Sequence, residues 1–162
     1  MLMILYLLLS AALLAVDVLL KAWASSSLRP VGSIPVIPEV FSLYYHENRG
    51  AAWGIFQGQR VLLVAVTGCL ILFLIAAVIL KKFPGRLVNL SFSLIIAGGL
   101  GNLADRIFRG YVVDYLYFEL IDFPIFNFAD MCVVTGTILL VFYVIVIEGK
   151  KEKGPQKPEA DG

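Results

Sequence analysis

"VLLVAVTGCLILFLIAAVIL", Val61–Leu80, runs for 20 residues without a charged side chain. The hydrocarbon core of a bilayer needs about 20 mainly apolar residues in helical form. This run therefore predicts a membrane-spanning helix, and its neighbours repeat the pattern. Upstream, Leu2–Leu20 is interrupted only by Asp17 near its end. Downstream, Asp130–Ile147 is apolar after its first residue. The weakest candidate is "LVNLSFSLIIAGGLGNL", Leu87–Leu103, where Asn89, Ser91, Ser93 and three glycines intervene. Small residues let helix backbones approach closely, so that composition fits a span enclosed by the others.

Composition agrees with a membrane protein. The 162 residues are 60% hydrophobic and 15% charged, against about 25% charged in an ordinary soluble domain. The expected fold class is an all-α membrane protein with four transmembrane helices, at about 2–20, 61–80, 87–106 and 129–147. "VGSIPVIPEVFSLYYHENRGAAWGIF" mixes Pro, Gly and short β-prone pieces. A small extracytoplasmic β-region at about 31–56 is expected there, with Trp53 and the Tyr44–Tyr45 pair as interfacial anchors. Residues 1–148 then make one integral membrane domain, and the polar tail 149–162 is expected to be disordered and cytoplasmic. "AWA" at Ala22–Ala24 mimics a leader-peptide cleavage site, but the basic n-region is missing and Asp17 and Lys21 interrupt the apolar core, so retention is expected.

Orientation follows from basic residues in the loops. "KKFPGR" at Lys81–Arg86 and the lysine-rich tail belong on the cytoplasmic side, which places both termini inside and the longer loops outside. The outer loops also contain basic residues, but acids are interleaved with them. The net charge of +1 says nothing about partners, and no nucleic acid is expected. Cys69 and Cys132 lack metal-site spacing and are expected to be buried, inert thiols. With a single histidine, His46, neither a metal centre nor a cofactor site is expected.

This topology collects the unusual polar residues at one membrane face. Asp17 lies roughly 22 Å along the first helix, with Lys21 at i+4 in the favoured acid-before-base order. Asn48 sits in the first outer loop. Asn102 and Arg106 are four apart at the outer end of the third helix, followed by Asp114. Asn127 makes an N-cap for the last helix, and "NFAD" puts Asp130 at N3 of a capping box. Capping alone accounts for Asp130. It does not account for Asp114, between "YVV" and "YLYF", since an ionisable residue at membrane depth is costly and points to function.

No convincing Ser-Lys or Cys-His arrangement is present, so two carboxylates sharing a site remain. Such a pair cannot ionise fully; one member holds a proton while the other acts as base. Asp130, at a helix N-terminus, is expected to ionise more readily, and Asp114 to keep the proton. A small transporter or proton-relay subunit using the same acids is the competing reading, and a non-enzymatic membrane assembly protein using the "AGGLG" helix as a dimer contact is a third.

Four blocks carry a family resemblance: "DVLLK" at Asp17–Lys21, "ENRGAAWGIF" at Glu47–Phe56, "GGLGNLADRIFRGYVVDY" at Gly98–Tyr115 and "FPIFNFAD" at Phe123–Asp130. Together they resemble the lipoprotein signal peptidases (signal peptidase II) of bacteria. The resemblance implies a membrane aspartic peptidase of the bacterial cytoplasmic (inner) membrane. Its substrate would be a diacylglyceryl-modified prolipoprotein, cut before the lipidated cysteine, and the cyclic peptide globomycin would inhibit it. It implies Asp114 and Asp130 as the catalytic pair. Asn48, Gly50, Asn102, Arg106, Asn127, Asp17 and Lys21 would support the pair or bind substrate, among membrane lipids, in a monomer. Asp105 resembles a non-catalytic acid suited to a salt link with Arg109 at i+4. Relatives usually have Gln and Ser or Thr inside the first-helix motif, where "VLL" stands here. The loop 31–56 would cover the bound peptide, with Gly50 and Gly54 giving it freedom to move.

Overall fold

A computed structural model describes residues 2–51, 55–80, 82–83 and 85–148. The expected Trp53 anchor and the tail from 149 lie outside them. Four helices are long and apolar enough to cross a membrane: α1 (Leu2–Trp23), α2 (Arg60–Ile79), α3 (Arg86–Phe108) and α4 (Phe128–Phe142). Wider π-type turns extend α1 through Ala24–Leu28 and α4 through Tyr143–Glu148. The outward faces stay apolar and exposed at Leu8 and Leu19 on α1, Leu72 and Phe73 on α2, and Ile138 on α4. Such surfaces suit acyl chains, against which exposed apolar area carries no penalty.

The helix with the weakest hydropathy is the centre of the bundle. α3 packs against α1, α2 and α4, and its Val88, Phe92 and Ile96 form a core with Ile71, Leu74 and Val78 of α2. Its serines are internal and satisfied: Ser91 and Ser93 donate to the carbonyls of Leu87 and Asn89 at 2.8 Å each. Ser10 of α1 in turn donates to the Ser93 carbonyl at 3.0 Å. Two glycines permit the closest approaches. A Cβ at Gly98 would collide with the Ala129 carbonyl oxygen, and one at Gly101 with the Asp17 carboxylate. Both contacts lie where α3 meets the ends of α1 and α4.

The strand content departs from expectation. The β-region is a three-stranded antiparallel sheet in the order β1–β2–β3. β1 (Ser33–Ile37) and β2 (Phe41–Asn48) come from the first connection, but β3 (Val112–Tyr117) comes from the connection between α3 and α4. The chain is therefore mostly helical with a sheet, rather than all-α with strands in one loop. β-branched and aromatic residues in "VVDYLY" suit a pleated, half-buried surface. Val112–Tyr115 are buried, and their backbone needs partners: β2 pairs with Val112, Val113 and Asp114, while Tyr115 N donates to the Phe126 carbonyl at 3.0 Å. The register sets His46 opposite Asp114 and Asn48 opposite Val112. A second departure concerns the thiols. Cys132 is buried as expected, whereas Cys69 is exposed, because α2 buries only the stripe containing Ile71, Leu74, Ala77 and Val78.

The close approach at Gly98 yields a stability test. Gly98→Val should lower the thermal unfolding midpoint in detergent, by overpacking that costs about 1–3 kcal/mol. Gly68→Val on α2, where an added Cβ meets nothing, should leave the midpoint nearly unchanged.

Candidate active site

The first turn of an α-helix leaves backbone N–H groups without intrahelical partners. At the start of α4 each of these donors has a partner. Phe128 N donates to the Tyr115 hydroxyl at 3.2 Å. Ala129 N donates to Asp17 Oδ1 at 3.0 Å. Asp130 N donates to Asn127 Oδ1 at 3.0 Å, and Met131 N makes the first intrahelical bond, to the Asn127 carbonyl at 3.2 Å. Asp130 Oδ2 accepts from Asn127 N at 3.1 Å, which completes the expected capping box. Three elements thus fix the turn that carries Asp130.

Asn127 links that turn to Asp114. Fully buried, it donates through Nδ2 to Asp114 Oδ1 at 2.6 Å and to Asn102 Oδ1 at 3.2 Å. Asn102 Oδ1 also accepts from Lys21 Nζ at 2.8 Å. Two donors on its oxygen orient the Asn102 amide, so its Nδ2 faces Asp130 Oδ1 at 2.7 Å. Asn48 Nδ2 donates to Asp114 Oδ2 at 3.0 Å from the neighbouring strand. Gly50 N donates to Asn48 Oδ1 at 2.9 Å, and Arg106 Nη2 donates to the Gly50 carbonyl at 2.9 Å. Every residue expected at the site is therefore in one connected network.

Lys21 is 2% exposed, and a buried charge needs partners. Asp17 Oδ2 lies 2.9 Å away and Asp105 Oδ2 3.4 Å away. Asp105 also accepts from Val113 N at 3.0 Å and pairs with Arg109 Nε at 3.0 Å, the latter being the link expected from spacing. The bond to Val113 fixes the strand residue immediately before Asp114. Sequence reasoning missed this role, together with those of Tyr115 and Asp17 as caps of α4. The only local hint was a tyrosine directly following Asp114.

Asp114 and Asp130 line the same cavity, of about 670 Å³. Its walls are mainly apolar, with Phe126, Met131 and Val134 among them, and Arg106 and Gln57 add polar groups. Asp114 is 1% exposed. Burial, reinforced by the negative charge of Asp130, pushes its carboxyl up to about 7, although the Asn48 and Asn127 donors pull in the other direction. Asp114 therefore keeps its proton through the mildly acidic range and gives it up as pH rises through about 7.

The class so defined is a polytopic membrane protein with two hydrogen-bonded carboxylates facing one cavity at an end of its helical bundle. Comparison with known proteins narrows it. The model of the signal peptidase (SPase) II family matches residues 9–146. The lipoprotein signal peptidase of Clostridium acetobutylicum is 44% identical over 140 residues, covering 85% of this chain and 91% of that one. That of Clostridioides difficile is 41% identical over 148 residues, covering 90% and 98%. A bacterial membrane enzyme solved by the in meso method at 2.3 Å superposes with a TM-score of 0.83 at 29% identity, covering 93% of each chain. A second, solved at 1.9 Å, gives 0.77 at 30% identity, covering 87% and 92%. The chain belongs to the signal peptidase II family.

Removing the central cation should be costly. Lys21→Met leaves Asp17 and Asp105 buried beside each other, a loss of about 3–5 kcal/mol for breaking a buried pair. Size-exclusion chromatography and thermal unfolding in detergent should show little folded protein. Adding Asp17→Asn should recover part of the loss.

Proposed function

We propose that this protein is a membrane aspartic endopeptidase that removes the signal peptide from diacylglyceryl-modified prolipoproteins, cutting before the lipidated cysteine. The observation carrying this reading is the placement of Asp114 and Asp130 in one cavity, with Asn127 donating to both carboxyl groups; burial raises Asp114 to about 7, which suits it to hold the shared proton. The names of the relatives supply the substrate class.

The chemistry follows from the pair. Asp130 takes a proton from water as the water oxygen bonds to the scissile carbonyl carbon. Protonated Asp114 gives its proton to the carbonyl oxygen, forming a neutral tetrahedral diol. Asp130 then passes its proton to the leaving nitrogen, the C–N bond breaks, and a diol hydroxyl returns a proton to Asp114. One water is consumed, and one carboxyl and one amine are formed. Asp114 Oδ2 can carry a proton while accepting from Asn48, because each carboxyl oxygen has two lone pairs. Asn102 and the backbone of Asn127 hold Asp130 by two donors, leaving its remaining lone pairs for water. Asp17 and Lys21 position the pair from behind, and Asn48, Gly50 and Arg106 join the first outer connection to it.

The rest of the reading concerns the membrane. The protein works in the bacterial cytoplasmic (inner) membrane, as a monomer without cofactor, with its termini inside and its site near the outer face. A diacylglyceryl group keeps its acyl chains in the bilayer and presents the adjoining peptide bond at that depth. Globomycin is expected to occupy the same cavity.

Purified protein with a lipidated prolipoprotein peptide in detergent tests the scheme. Asp114→Asn and Asp130→Asn should each lower kcat/KM by about 10³-fold or more, as loss of an acid or base does when the pair acts as a unit. The sign of the pH dependence also follows. A raised carboxyl keeps its proton below its midpoint, so kcat/KM should fall as pH rises through about 7. Full activity in either variant would refute the assignment.

A further inference from the structure

A second cavity, of about 420 Å³, adjoins the first and shares His46, Phe123, Pro124 and Ile125 with it. Its remaining lining, Tyr44, Tyr117 and Asp122, comes from the sheet and from the turn that follows β3. The two cavities differ in character. The larger one reaches Met131, Val133, Val134 and Thr135, within the first turns of a membrane-spanning helix. Among the described residues, no membrane-spanning helix lines the smaller.

The smaller cavity presents an oriented carboxylate. Asp122 is exposed and adopts a left-handed backbone, φ 47°, closing the short helical turn Glu119–Ile121. Its N–H donates to the Glu119 carbonyl at 3.0 Å, and Phe123 N donates to the Phe118 carbonyl at 3.1 Å. The Tyr117 hydroxyl donates to Asp122 Oδ1 at 2.8 Å, and this bond raises the phenol above its usual range. An ionised carboxylate accepts about four hydrogen bonds, so one from Tyr117 leaves capacity for a ligand. Glu119, held by the Ser42 hydroxyl, adds a second negative group near Tyr117.

A substrate crossing the carboxylate pair must leave by two routes. Its signal segment and acyl chains are apolar and match the α4 end. The segment after the cleavage point belongs to a chain destined for water, and the His46–Ile125 side is lined by the sheet and the turn after β3, not, among the described residues, by a membrane-spanning helix. We propose that the second cavity is the subsite for the residues immediately following the lipidated cysteine. There Asp122, held by Tyr117, favours side chains that donate hydrogen bonds or carry positive charge and disfavours carboxylates. This rests on the peptidase reading above and adds a preference to it.

Two lipidated peptides, identical except for Lys or Asp after the lipidated cysteine, supply the test in the detergent assay. The native chain should cleave the Lys peptide about fivefold more efficiently, the scale of one exposed charge pair. Asp122→Asn should reduce that ratio to under twofold, and Asn tolerates the left-handed backbone. The ratio within one preparation does not depend on how much of the variant is folded. A native ratio near one, or an unchanged ratio in Asp122→Asn, overturns the subsite alone. Failure of the native chain to cleave either peptide overturns the peptidase reading, and the subsite with it.

Discussion

The first turn of α4 fixes the site. A helix start inside a membrane protein cannot leave its backbone donors bare, because no bulk water is present to satisfy them. Here Asp17 of α1, Tyr115 of β3 and the Asn127 cap accept from them. Because these acceptors come from different elements, the turn cannot rotate without breaking bonds to all of them. Asp130 inherits that rigidity, and Asn127 passes it to Asp114 through one amide. Preorganisation of this kind is what acid–base chemistry needs, since the geometry is set before substrate arrives.

The ionic cluster behind the network shows why such an arrangement persists in an apolar bundle. Lys21 stands between Asp17 and Asp105 and donates to Asn102, so one cation contacts all three. Each acid also holds a backbone group in place. Asp17 accepts from the start of α4, and Asp105 accepts from the strand next to Asp114. Buried ion pairs are weak sources of net stability but costly to break singly. The cluster is therefore best understood as a device that fixes the relative placement of α1, α3, β3 and α4. Gly101 admits the Asp17 carboxylate against α3, which connects the small-residue composition of that helix to the placement of the acids.

Much of this was legible in the sequence, where the signal was local. Four apolar runs gave the spans, and i,i+4 spacing gave the Asp17–Lys21 and Asp105–Arg109 pairs. "NFAD" gave the capping box. What could not be read depends on long-range pairing. The strand Val112–Tyr117 looked like an outer loop, because its partner lies in the first connection, some 70 residues earlier along the chain. Asp17 bonds to Ala129 across 112 positions, a relation with no periodicity to betray it. Cys69 was misjudged for a related reason. In a membrane an apolar run does not reveal which of its faces meets protein and which meets lipid, since both are apolar.

The family membership points to a peptidase, and the geometry sets two carboxyl groups in one cavity that extends along the first turns of α4. A cavity with apolar walls and two carboxyl groups at one edge suits a substrate whose apolar part is anchored in lipid. The most direct test of the central claim is a crystal structure with a non-cleavable peptide mimic bearing a hydroxyl on a tetrahedral carbon in place of the scissile carbonyl. The account predicts that hydroxyl within hydrogen-bonding distance, about 2.5–3.0 Å, of both Asp114 and Asp130. A hydroxyl bound to one carboxyl alone, or a mimic seated away from the pair, would contradict it.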